Sequence, residues 1–303
     1  MNRGGGPISE TRSILSSARS KRLLNLFGGL LSFAGLAAIS FKLWAYRGEL
    51  NAAGLSFVGY ISIALAAVLS GASNTLLALA WRSFLLYLGE SPDRRWSIWA
   101  YSTSQVAKYV PGNIFHYTSR QVIGAAAGIR HGALAKSAGL ELIVISTTAV
   151  LFLPLVAPIF ITIFQFLGIM VFIFISSISL IVINSYFGRC FAKAFICYIV
   201  FLSLSGSIFI SAFIAAGGLL TATEIFLVGG AYVLAWLLGL VTPGAPAGVG
   251  VREAALLYLL AGFAPPAVIL SAVVFGRVIT VAGDLLFYAC GQLLKRRLVS
   301  KSV

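Results

Sequence analysis

Charge is what this sequence lacks most. Lys, Arg, Asp and Glu make up 10% of its 303 residues, against about 25% in an ordinary soluble chain. Acid is scarcest, with eight Asp and Glu against 22 Lys and Arg, for a net charge of +14. So little polar side chain cannot cover a water-facing surface, and lipid must solvate much of the chain. Histidine is nearly absent: His116 and His131 are the only two, which excludes a multi-histidine metal centre. The three cysteines, Cys190, Cys197 and Cys290, lie in or beside apolar runs without paired spacing. Neither a disulfide framework nor a thiolate metal site follows, and no cofactor is expected. The surplus of positive charge does not indicate nucleic acid. The basic residues form no aromatic-interleaved patch; they sit at the ends of apolar runs, as topology signals do.

What is abundant is apolar length. Hydrophobic residues make up 59% of the chain, and the mean hydropathy is +0.99. Apolar runs cover Leu23–Trp44, Phe57–Ala80, Ala138–Ala157, Ile159–Asn184, Ala194–Ala216 and Ala267–Leu294. Each is near or above the ~20 residues that a bilayer-crossing helix needs; a further run, Glu224–Leu240, is short. Residues 1–22 read as a flexible basic tail and 296–303 as a second one, with a single transmembrane domain over 23–295.

Two stretches interrupt the apolar pattern. Trp96–Gly128 holds Gln105, Lys108, Pro111, Gly112, Asn113, His116 and Arg120; the other runs from Val241 through Pro243, Gly244, Gly248 and Gly250 to Arg252 and Glu253. A Pro-Gly pair breaks a helix, and broken backbone at membrane depth must be shielded by protein or a wet cavity. The sequence therefore predicts an all-α polytopic membrane bundle, with about six full spans and two re-entrant broken-helix hairpins. Charge supports that topology. With both termini cytoplasmic, inner segments carry Arg82, Arg94, Arg95, Arg130, Lys136, Arg189, Lys193, Lys295, Arg296, Arg297 and Lys301. Outer segments and span edges carry only Lys42, Arg47, Glu49 and Glu224, a positive-inside division. Charge alone leaves open whether the second hairpin is re-entrant or two full crossings.

The two broken stretches share a pattern. Pro111-Gly112 precedes Arg120 and Pro243-Gly244 precedes Arg252, each at a shift of 132 residues (243 − 111 and 252 − 120). Gln121 and the isosteric Glu253 follow the two arginines. The spacing suggests half-repeats over about 23–158 and 159–295. An odd number of crossings per half would invert one relative to the other, the plan of many transporters.

Arg within hydrocarbon is costly and normally faces a partner, water or a ligand. Asn113, His116 and Arg120 fall on one helical face behind Gly112, where helix amides and a guanidinium suit an anion such as phosphate. Gly244, Gly248, Gly250 and Arg252 offer the same chemistry in the second hairpin. Glu253 stands beside them as counter-charge or proton carrier, or as one half of a structural tie with other bundle charges. Arg277 and Asp284, seven apart on one face of the last span, and Glu141 inside the third, read equally as a charge relay or as ion pairs fixing the bundle. Lys108 reads as an interfacial lysine at the cytoplasmic mouth. Gly124-x-x-x-Gly128 reads as helix packing.

The run Lys108-Tyr109-Val110-Pro111-Gly112-Asn113-Ile114-Phe115-His116, with Arg120, resembles the first signature of the lysylphosphatidylglycerol synthase transmembrane-region family. Pro246-Ala247-Gly248-Val249-Gly250-Val251-Arg252-Glu253 is similar to the second, with Ala247 where the family commonly has Gly. Arg277 and Glu141 match further charged positions of that family, and the likeness covers about residues 23–295. It implies a flippase-like membrane protein of the multiple-peptide-resistance type, here without the aminoacyl-transferase domain. The expected activity is translocation of an anionic or polyprenyl-phosphate-linked lipid across the cell membrane, without enzymatic chemistry. The alternative is a non-catalytic membrane partner of a glycosyltransferase. A membrane-embedded transferase would need paired outer carboxylates, and only Glu49 and Glu224 are there.

Overall fold

The computed structural model describes residues 57–109, 115–159, 165–242 and 250–299. The first apolar run, both Pro-Gly pairs, Asn113 and Gly248 lie outside the described residues. Among the described residues all regular structure is helical. The elements are α1 (Phe57–Tyr87), α2 (Arg94–Gln105) continued by a 3-10 turn (Val106–Tyr109), α3 (Phe115–Ala126) and α4 (His131–Val150). After α5 (Leu153–Val156) come α6 (Gln165–Ala215), α7 (Glu224–Val241), α8 (Val251–Leu259) and α9 (Pro266–Val299). Five segments are long and apolar enough to cross a membrane: α1, α4 with its extension to Ile159, α6, α7 and α9. The chain is therefore a helical, membrane-embedded protein.

The sequence predicts two spans joined by a loop where the structure has the single 51-residue element α6. At 1.5 Å per residue a straight helix of that length would run about 75 Å, more than twice the ~30 Å hydrocarbon layer. Gly188, at φ 78° and ψ 179°, breaks it, a conformation that a side chain at Cβ would oppose. The halves fold back on each other. Phe172 and Leu202 belong to one apolar cluster, whereas an unbroken helix would hold them about 45 Å apart. The predicted loop is thus one glycine. Only 6% of the most apolar α6 window is buried, so this part of the surface faces lipid.

Side-chain contacts define the two ends of the bundle. Tyr87 at the end of α1 packs edge-on against Phe191 beyond Gly188, with ring centroids 4.7 Å apart. Lys295 near the end of α9 lies 4.9 Å from the ring of Trp99 in the middle of α2. Asp93 caps α2, its carboxylate accepting from the amides of Arg95 at 2.7 Å and Trp96 at 3.2 Å. The Trp96 amide leads the causes that hold this carboxyl below its usual range. Arg130, after α3, donates to Glu90 at 2.5 Å and to the Leu88 carbonyl at 2.8 Å, both before α2. The segment from α2 to α3 therefore returns to the end it left, and its 12-residue helices are each too short for a crossing. At the other end Ala216 and Leu220, before α7, share an apolar cluster with Leu260, Phe263 and Ala264, after α8. The two flanks of the α7–α8 segment thus share one cluster.

Small residues let the central helices approach closely. A Cβ on Gly71 of α1 would lie 2.8 Å from the Gly283 carbonyl oxygen of α9, and one on Gly206 of α6 would lie 3.0 Å from that of Gly229 in α7. Of the predicted packing motif, Gly124 does press on Leu134 of α4. Gly128 instead ends α3 with φ 87°.

Candidate functional site

A cavity of about 160 Å³ opens between the α2–α3 and α7–α8 segments. Lys108, Tyr109 and His116 line it from one segment and Leu240 and Arg252 from the other. Residues on either side of both Pro-Gly pairs thus share one chamber. Asn74, Ser205 and Arg277 complete the wall from near the middles of α1, the second half of α6, and α9. The chamber is therefore at bundle mid-depth.

Its charges are nearly all matched. Asp284 of α9, 2% exposed, accepts from Asn74 Nδ2 at 2.8 Å and from the Tyr109 hydroxyl, and pairs with Lys108 Nζ at 2.6 Å. Arg277 donates through Nη2 at 2.7 Å and through Nε at 3.2 Å to one carboxylate oxygen of Glu253. The other oxygen accepts from the Gly250 amide at 2.7 Å. Gly250 reaches φ 85° at the start of α8. Its N–H is occupied by Glu253, which corrects the expectation that it would serve an anion.

Arg252 is the exception. Among the described residues no carboxylate pairs with it, its buried Nε has no hydrogen-bond partner, and the Tyr232 ring lies 5.8 Å from its guanidinium. His116 Nδ1 is likewise buried without a partner among the described residues.

Arg120 stands elsewhere. At 3% exposure it donates to Glu141 at 2.5 Å and stacks 4.1 Å from the centre of the Tyr101 ring, with Trp81 and Tyr117 each 5.4 Å away. Tyr101 also donates to Glu141 at 2.7 Å. This α2–α3–α4 knot does not bring the guanidinium to the cavity wall, although Glu141 reaches it. The expectation of Arg120 as a direct ligand is corrected: its charge is spent on Glu141.

Arg277 and Asp284 share a face of α9 and form ion pairs with different partners, Glu253 and Lys108. One further expectation changes: Lys108 is not an interfacial lysine; the 3-10 turn carries it to the cavity. Asn74, Tyr101, Tyr109 and Tyr232 escaped the sequence reading. Only Asn74, a lone amide within an apolar run, left a visible signal.

The arrangement can neutralise an anion, and it offers two neutral ion pairs that a ligand could open. Among the described residues no three His, Cys, Asp or Glu side chains gather as a metal site. No protein-family model matches this chain, and no curated protein matches it significantly.

Proposed function

We propose that the protein translocates an anionic lipid across the cell membrane, its phosphate resting in the central cavity while the acyl or prenyl tails stay in the bilayer. One observation carries this reading: Arg252, a cation without a carboxylate partner among the described residues, lines a chamber at bundle mid-depth between the α2–α3 and α7–α8 segments. A buried cation left without a counter-charge is costly, and an anion that visits the site removes that cost.

The reading takes six full spans, α6 supplying two, with re-entrant segments between α1 and α4 and between α6 and α9. The nine residues of α8 are far too few for a crossing, which favours the re-entrant form of the second segment. The repeat gains support from the elements themselves. A shift of 132 carries α1 onto the second half of α6, α2 onto α7, α3 onto α8 and α4 onto α9. The two re-entrant segments then enter from opposite ends, as an inverted pair must. Arg94, Arg95, Arg130 and Arg189 gather at one end, while Glu224 begins α7 at the other. That favours a cytoplasmic first end and cytoplasmic termini.

Purified protein in liposomes with a fluorescent phosphatidylglycerol analogue tests the proposal. Arg252→Ala should abolish lipid scrambling without lowering thermal stability. Normal scrambling by a destabilised variant would reject it and make Arg252 a structural tie.

A further inference from the structure

Charge bookkeeping at the cavity carries the reading one step further, to the charge of the lipid. Lys108, Arg252 and Arg277 bring positive charge to the wall, and Glu141 and Asp284 bring negative charge. Asp284 answers Lys108, Glu253 answers Arg277 and Arg120 stands behind Glu141. Among the described residues one charge is left over, that of Arg252.

Resting on the translocator reading above, we infer that the site takes a single negative charge, and so selects a phosphodiester monoanion over a phosphomonoester or pyrophosphate head group. A phosphomonoester carries about −1.5 to −2 at neutral pH. Its second charge would find no free cation unless it broke the Lys108–Asp284 or Arg277–Glu253 pair, stranding a carboxylate. The room available agrees. A cavity of about 160 Å³ is close to one that holds benzene, about 150 Å³. That suits a phosphate with a glycerol-sized substituent, not a sugar chain.

The test is competition for a fluorescent phosphatidylglycerol bound to the full-length protein in detergent. Unlabelled phosphatidylglycerol should displace it at concentrations at least about tenfold lower than phosphatidic acid or a polyprenyl pyrophosphate, the order expected for a charge-assisted hydrogen bond gained without breaking another. Equal or tighter competition by either multiply charged lipid overturns the inference, and this arm needs no variant to fold. Asp284→Asn raises the surplus to two, and the preference should move towards phosphatidic acid; an unchanged preference in the folded variant counts against the inference. Arg252→Gln removes the surplus, so discrimination against zwitterionic phosphatidylcholine should vanish; retained discrimination overturns it too. Two outcomes separate this claim from the reading beneath it. Monoanion preference without scrambling, or displacement by dimethyl phosphate as effective as by the lipid, upholds the charge rule and refutes lipid translocation. Scrambling that ignores head-group charge upholds translocation and refutes the rule.

Discussion

Removing Glu141 should loosen the packing of α2 and α3 against α4. Glu141 is 4% exposed and holds both Arg120, at 2.5 Å, and the Tyr101 hydroxyl, at 2.7 Å. In Glu141→Ala the guanidinium stays enclosed by Tyr101, Trp81 and Tyr117 without a counter-charge, a situation that costs about 3–5 kcal/mol. Tyr101→Phe removes only the hydroxyl bond and should cost about 1 kcal/mol. Replacing both ions, as Arg120→Met with Glu141→Leu, removes the stranded charge and should recover most of the loss, because apolar pairs of similar volume are often neutral substitutes. The assay is equilibrium unfolding of the purified protein in mixed micelles, read by tryptophan fluorescence, with Trp81 inside the affected knot. A Glu141→Ala loss below about 1 kcal/mol would refute the structural assignment. So would a double variant no more stable than the single one.

Four other outcomes are expected. Asn74→Ala leaves Asp284 with one donor fewer and should destabilise by about 1–2 kcal/mol in the same unfolding assay. Gly283→Ala puts a Cβ 2.7 Å from that of Ser70, and the forced separation of α1 and α9 should cost about 1–3 kcal/mol of unfolding free energy. Gly188→Val opposes the left-handed φ of 78° at the fold-back of α6 and should cost about 1–3 kcal/mol, visible as a lower midpoint in a thermal scan. In a variant lacking the three native cysteines, Ser91→Cys should resist an impermeant thiol reagent in intact cells while Thr221→Cys reacts. The reverse labelling would invert the topology.

Much of the architecture was legible because lipid imposes a one-dimensional rule. A bilayer of fixed thickness turns run length into spans, and helix-breaking Pro-Gly pairs mark where runs must be interrupted. α7 begins and ends within a residue of its apolar run, and α9 extends its run only at the ends. Basic residues flanking the runs supply an expected orientation. The site was legible as a list of charges, since an ion in hydrocarbon requires a reason. Its pairing was not. Helical periodicity says which side chains share a face, and it put Arg277 with Asp284. The tertiary structure sends the first to Glu253 and the second to Lys108, 176 residues away in the chain (284 − 108). Arg120 looked like the twin of Arg252 by position, yet α4 brings Glu141 to one, and among the described residues no acid forms an ion pair with the other. Composition and spacing determined which charges are buried. Only the packing of helices distant in sequence decided which of them cancel, because an ion pair depends on separations of a few ångströms that no sequence interval records.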